Sequence, residues 1–300
     1  MGETKCGTLF DSSFADLVDT QLLFIFSSVT LTRVSRSCQA CDKRFHGSAS
    51  PIVKTGKVVA FIGPCCLETR EYPIPDIVDE AILLKIEAAG ICGSDGRIIK
   101  GTPIEPTCIG HEFAGRIVKM GSRATDSMHV YGGPLKIGDR IVPCPWLTCG
   151  ACDGCLRYGP GVSMICENGF CYGGSETIGK SRVSAGVASF PHFKGGFAEY
   201  TYLFPGTYVW TIPEHMPSEI AVLLDPMAAA VRAIDMTQTE SGAMTEGFNT
   251  SSSVVVIGAG AIGTMVALIL KIMGVEKVIL TNTSQAKLQL PTVLPALTKR

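Results

Sequence analysis

Two fold classes follow one another along this chain of 300 residues. An α+β domain built on a barrel-like β sheet comes first, and an incomplete α/β unit comes after it. Three observations predict this. From Lys57 onward, short apolar runs recur between Gly and Pro turns, the pattern of many short strands. A Gly-rich segment then carries four cysteines between Cys149 and Cys166. After Ser253, a β-branched run leads into Gly258-x-Gly260-x-x-Gly263 and an apolar helix, the order of a βαβ unit.

Composition narrows the function. Lys plus Arg (26) nearly balances Asp plus Glu (27), so no basic field attracts nucleic acid or a membrane surface. A hydrophobic share of 46% provides for a sizeable core. The longest apolar runs, Leu22 to Phe26 and Ile257 to Met273, do not read as membrane spans. The first is too short, and the second holds the glycine pattern. Thirteen cysteines in a chain of this length, four of them at metal-like spacing, point to a reducing, cytoplasmic setting and not to a disulfide scaffold. Acidic residues before the first apolar run fit neither a signal nor a transit peptide.

Residues 1–55 share little with the regular pattern beyond them and read as a poorly ordered extension. Cys38, Cys41 and His46 there amount to half a zinc site with no second pair nearby. Lys57–Gly63 (KVVAFIG) reads as a strand, and Ala81–Cys92 (AILLKIEAAGIC) as a second, with Pro73 and Pro75 between them. Gly115–Gly121 and Gly138–Cys144 read as further strands. Ser122–Leu135 reads as a polar loop insertion between those two.

The stretch from Cys92 to Glu112 brings a thiolate, an imidazole (His111) and a carboxylate within reach of one cation. That donor set suits zinc held by three protein groups, with one position open. Alone the stretch is only suggestive, because an isolated Cys is more often a small buried hydrophobe. Cys149, Cys152, Cys155 and Cys166 form a different kind of set. Four thiolates close a tetrahedral shell, which makes a structural zinc with no open position. An iron–sulfur cluster is the main alternative. Cys144 and Cys171 flank the set and are read as non-ligands.

Gly195–Tyr200 (GGFAEY) leads into a strand and turn over Thr201–Glu214. The run Glu219–Ile234 reads as a helix interrupted at Asp225-Pro226. An acid there serves as an N-cap, as a metal ligand, or as both. Gly258, Gly260 and Gly263 permit a tight turn, close approach of a pyrophosphate, and close helix–strand packing. Asn282, 19 residues past Gly263, lies near the position of the ribose-binding residue.

Taken in order, the motifs AAGICGSD, GHEFAGRIVKMG, GDRIVP, the four-cysteine lobe, GGFAEY, LLDPMAAAVRAI and VVVIGAGAIG resemble the zinc-dependent alcohol dehydrogenases of the medium-chain dehydrogenase/reductase superfamily. The likeness covers about Lys57 to Leu288. It implies a GroES-like catalytic domain over 56–230 and a partial Rossmann domain over 231–300. It also implies hydride transfer between an alcohol or polyol and NAD or NADP, with two zinc ions per chain. By motif, Cys92, His111 and Asp225 would hold the catalytic zinc, with Glu112 beside it. Ser94 would fall in a proton relay, and Asp95 would hold the zinc-bound imidazole. The resemblance implies a small-molecule alcohol or carbonyl substrate and leaves a homo-oligomer open.

Several features depart from the family pattern. The gap from Cys155 to Cys166 is longer than usual. Arg97 stands where many members carry a relay histidine. Asn282 replaces the acid that selects NAD, which leaves NAD and NADP undecided. After the second strand of the dinucleotide unit, Pro291 and Pro295 interrupt the pattern and the sequence ends at Arg300, so a truncated dehydrogenase is expected. The competing reading is a non-catalytic zinc-binding remnant of such an enzyme. A thiol-based redox sensor or metal store is disfavoured, because strand and glycine patterns explain the chain without it.

Overall fold

The computed structural model describes residues 54–159, 165–174, 186–239, 248 and 252–289. The expectations for residues 1–53 and for Pro291 and Pro295 lie outside them. Strand β1 (Thr55–Gly63) pairs antiparallel with β2 (Cys66–Pro73) on one side and with β4 (Thr107–Cys108) on the other. Sequence reading missed β2. Its face is polar and mostly exposed, so it lacks the apolar alternation that marks a half-buried strand.

A six-stranded sheet forms the larger part of the first domain. Its members are β3 (Ile82–Gly90), β5 (Glu112–Met120), β6 (His129–Tyr131), β7 (Arg140–Pro143), β10 (Tyr200–Leu203) and β11 (Tyr208–Thr211), in the order β10-β3-β5-β7-β11-β6. The segment expected as a plain loop, Ser122–Leu135, holds a short helix, α2 (Ala124–Ser127), and the edge strand β6. Strand β6 pairs parallel with β11 and has only three residues, too short for its periodicity to show.

The central strands are buried on both faces. Phe113 and Ile117 of β5 pack with Ile82, Leu84, Ile141 and Tyr172 in the main core. Ala114 faces the other way, onto Val142, Ala221 and Val222. A bulge between Ile86 and Ala88 turns Ala88 to that second core. The two sheets are stitched together by backbone. Val59 N–H donates to Phe197 O at 2.8 Å, and Glu199 N–H donates to Lys57 O at 2.9 Å. This joining of two mostly antiparallel sheets gives the barrel-like form that the sequence predicts.

A part-buried ion pair fastens the helix α4 (Ser218–Ala221) to the sheet. Arg140 Nε donates to Glu87 Oε2 at 2.7 Å, and its Nη atoms reach the carbonyls of Pro213, Glu214 and Met216 and the Ser218 hydroxyl. Each nitrogen of this buried guanidinium therefore has an acceptor, which is what makes its burial tolerable.

The lobe after β7 contains β8 (Trp146–Leu147), α3 (Asp153–Tyr158) and β9 (Phe170–Cys171), with β8 and β9 paired. The helix α5 (Leu224–Thr239) then leads to β12 (Ser253–Ile257), α6 (Ala261–Ile272) and β13 (Lys277–Thr281). Strands β12 and β13 are parallel in register and joined across α6, as the βαβ reading requires. Val254, Val256 and Val278 pack on one side with Leu270, Val275 and Ile234 of α5. On the other side Val255 and Ile257 are 56% and 88% exposed. A helix of five residues, α7 (Gln285–Gln289), comes after β13.

Candidate metal centre and cofactor loop

Strand β3 delivers the chain to Cys92, which is extended (φ −81, ψ 153) and caps the helix α1 (Gly93–Ile98). The Cys92 N–H donates to Asp95 Oδ2 at 2.8 Å. The other oxygen of Asp95, Oδ1, lies 3.4 Å from His111 Nδ1 and has no hydrogen bond of good geometry. Asp95 is 2% exposed. One buried carboxylate thus fastens the two segments that carry Cys92 and His111. With Nδ1 turned to Asp95, the other ring nitrogen of His111 is left for an electrophile.

His111 reaches its place through a glycine. Gly110 has φ +89, a region that favours glycine, and a Cβ there would collide with the Phe197 ring. Gly196 N–H donates to Gly110 O at 2.7 Å, and Phe197 N–H to Ile109 O at 3.0 Å. The GGFAEY segment is therefore the backing of the histidine turn, a role that its sequence did not disclose. Glu112 opens β5 opposite Gly90 in register, and a Cβ on Gly90 would run into the Glu112 carboxylate.

The ligand atoms of Cys92, His111 and Glu112 all lie within 4.8 Å of one another. Zinc bonds of about 2.0–2.3 Å in a tetrahedron fit donors at this spacing, and thiolate, imidazole and carboxylate are its usual ligands. Asp225 is not in this group. It sits half-buried in the first turn of α5, one residue inside the helix start, so it is not the N-cap that the sequence allowed as one of its two roles. Its charge nonetheless reaches the site. Burial and the nearby Asp225 and Asp95 charges push the Glu112 carboxyl up to about 7, against the pull of His111. Burial likewise raises Asp225, against the pull of His111 and with Asp95 adding to the rise. Burial opposes protonation of His111, but Asp95 and Cys92 overcome it and lift the imidazole to about 11. Three acids and a thiol thus gather about one imidazole, a concentration of donors that a divalent cation offsets.

Ser94 is half-buried in the first turn of α1, two residues from Cys92. Cys144 and Cys171, read from sequence as bystanders of the lobe, lie within electrostatic reach of Asp225. Burial raises the thiols of both, and Asp225 adds to both shifts. Nothing in their spacing signalled this, because the long loop of the lobe separates them.

Cys149, Cys152, Cys155 and Cys166 also converge, with all four sulfurs within 4.8 Å. Backbone amides point at them: Cys149 N–H to Cys166 Sγ at 3.3 Å, Cys152 N–H to Cys149 Sγ at 3.4 Å, and Glu167 N–H to Cys152 Sγ at 3.5 Å. Amides directed at sulfur stabilise thiolates, and the Ala151 amide is the main reason the Cys149 thiol drops to about 6. A four-thiolate shell with aligned amides fits a closed metal site.

In the glycine loop, Gly258 has φ +110 and Gly260 caps α6. Space around both is open, and a Cβ on either would meet nothing within 4 Å. Gly263 packs so closely that a Cβ would strike Gly258 O. That arrangement leaves backbone amides at a helix start accessible to a pyrophosphate. Asn282 directly succeeds β13, and its Oδ1 accepts the Ser284 N–H at 2.8 Å.

Residues 78–214 match the alcohol dehydrogenase GroES-like domain family. A sorbitol dehydrogenase of Bombyx mori is 29% identical over 226 residues, covering 73% of this chain and 54% of that protein. An L-threonine 3-dehydrogenase of a Chelativorans species is 34% identical over 231 residues, covering 74% and 55%. Among solved structures, an alcohol dehydrogenase from Thermotoga maritima superposes with a TM-score of 0.65 at 27% identity, covering 79% of this chain and 60% of that one. Galactitol-1-phosphate dehydrogenase from Escherichia coli gives 0.59 at 28%, covering 80% and 60%. The chain spans about half the length of the curated relatives it matches. Residues 78–214 thus carry an alcohol dehydrogenase GroES-like domain, and the chain is similar to zinc-type alcohol dehydrogenases over about half of their length.

Proposed function

We propose that this chain serves a zinc-dependent oxidoreductase that moves a hydride between an alcohol or polyol and NAD or NADP. The observation that carries the reading is the convergence of Cys92, His111 and Glu112 within 4.8 Å, braced by the buried Asp95. Residues 56–230 act as the catalytic domain and 231–300 as the cofactor-binding portion, with the helix Leu224–Thr239 running across that boundary. Cys92 and His111 would hold the catalytic zinc, with Glu112 beside it and Asp225 as the further acidic ligand. Cys149, Cys152, Cys155 and Cys166 hold a structural zinc. When bound, the catalytic zinc supplies Lewis acidity to a substrate oxygen. A nicotinamide held by the glycine loop would supply the hydride acceptor. Asp95 fixes the His111 ring by holding Nδ1, and Ser94 passes the hydroxyl proton outward. Gly258, Gly260 and Gly263 receive the pyrophosphate, and Asn282 meets the ribose. The sorbitol, threonine and galactitol-1-phosphate dehydrogenases among its relatives support a small polyol or amino alcohol as substrate. The clustered thiols favour a reducing compartment such as the cytoplasm. Among the described residues, no helix is long and apolar enough to cross a membrane.

A second reading has its own observation. The outer face of the β12–β13 pair is open, with Ile257 88% exposed. A parallel sheet normally has both faces covered, so the chain would bind zinc without turning over a cofactor. Titration with NADH and NADPH, on protein loaded with about two zinc ions, separates the readings. Saturable quenching or enhancement of nicotinamide fluorescence is expected. No saturable binding with both zinc ions retained would sink the dehydrogenase reading for this chain.

A further inference from the structure

The hairpin joining β1 to β2 carries two adjacent cysteines that neither metal cluster uses. Gly63 pairs with Cys66, so Pro64 and Cys65 form the two-residue tip. Cys65 takes φ +54, a conformation that side-chain-bearing residues seldom adopt. Both thiols are exposed. The turn is also held from below. Cys65 N–H donates to Ile99 O at 2.6 Å, and Ile99 is packed against Phe61 and Ile109. Neighbouring residues within a strand point to opposite faces, but the left-handed backbone at Cys65 breaks that alternation. Two exposed cysteines are thus adjacent in sequence at a turn whose backbone is already held in place.

We propose that Cys65 and Cys66 form a vicinal-dithiol site for a thiophilic trivalent arsenical. Thiolates are soft donors, and a three-coordinate arsenic accepts two of them from one chain. In the capture step, an organic arsenoxide meets two thiols and two S–As bonds form. The arsenoxide oxygen leaves as water with both thiol protons, and no oxidation state changes. The second S–As bond is intramolecular, so its effective concentration far exceeds that of a thiol in solution. The plain alternative is two exposed cysteines that react singly, each adduct being reversed by any monothiol.

The probe is phenylarsine oxide, added to the zinc-loaded full chain with excess glutathione. Tryptic cleavage after Lys57 and Arg70 isolates residues 58–70, a peptide whose only cysteines are this pair. One bridging phenylarsenic group on that peptide is expected, stable to glutathione and removed by a dithiol. Cys65→Ser and Cys66→Ser should each weaken retention by about 100-fold or more, with zinc content unchanged. An unmodified 58–70 peptide would overturn the proposal, as would equal retention in either single variant. Arsenic found only on other cysteine-bearing peptides would overturn it too.

Discussion

A carboxylate that is almost wholly out of water must be matched by donors or by charge. Asp95 has the Cys92 amide on one oxygen and the His111 ring at 3.4 Å on the other. Replacing it leaves both ligand-bearing segments without their common anchor. Asp95→Asn should weaken zinc at the Cys92 site by about 10–100-fold. Competition with a chromophoric chelator measures this, and the four-cysteine site should be unchanged. Equal weakening at both sites would show that Asp95 stabilises the fold and not the histidine. The sequence made Asp95 visible through its CGSD context and the family resemblance. Gly90 was invisible, because its role depends on which residue of β5 stands opposite it.

At the scale of elements, the histidine turn and the cysteine lobe behave differently. Gly110 occupies a left-handed conformation under the Phe197 ring. Gly110→Ala should cost about 1–3 kcal/mol, read as a lower urea midpoint at unchanged slope. In the lobe, Cys152→Ser removes one of four converging sulfurs. Zinc content should fall by one per chain while the Cys92 site stays loaded. Loss of both ions would mean that the two centres are coupled. The lobe was legible because its ligands sit close in sequence. The edge strands β2 and β6 were not. Edge strands face water, so their residues need no apolar alternation, and β6 is only three residues long.

Across the whole molecule, the Glu87–Arg140 pair ties sheet to helix and gives stability a pH dependence. Burial opposes ionisation of Glu87. Hydrogen bonds from Arg140 and Ser218, with the charges of Arg140 and Arg116, outweigh it and hold the carboxyl below its usual 4.5. A depressed carboxylate contributes stability above its unfolded value and loses it as the pH falls through the folded one. Denaturation midpoints measured from about pH 7 down to pH 3 should therefore drop on the acid side. Glu87→Gln should flatten that drop and lower the neutral plateau. An unchanged acid limb in the variant would assign the pH dependence to other carboxylates.

Local chemistry was written in the chain. The thiolate spacing of the lobe, the Cys92–Glu112 donor set, the glycine loop between strand and helix, and the barrel-plus-βαβ order all derive from residue type and separation. Turn geometry, ligand chemistry and side-chain period are short-range properties. Tertiary structure decided the rest. It set Asp95 between Cys92 and His111, put GGFAEY behind the histidine turn, brought Cys144 and Cys171 within electrostatic reach of Asp225, and kept Asp225 outside the first contacts of the centre. These relations join segments far apart in sequence. Strand register and packing fix them, and no local pattern encodes either.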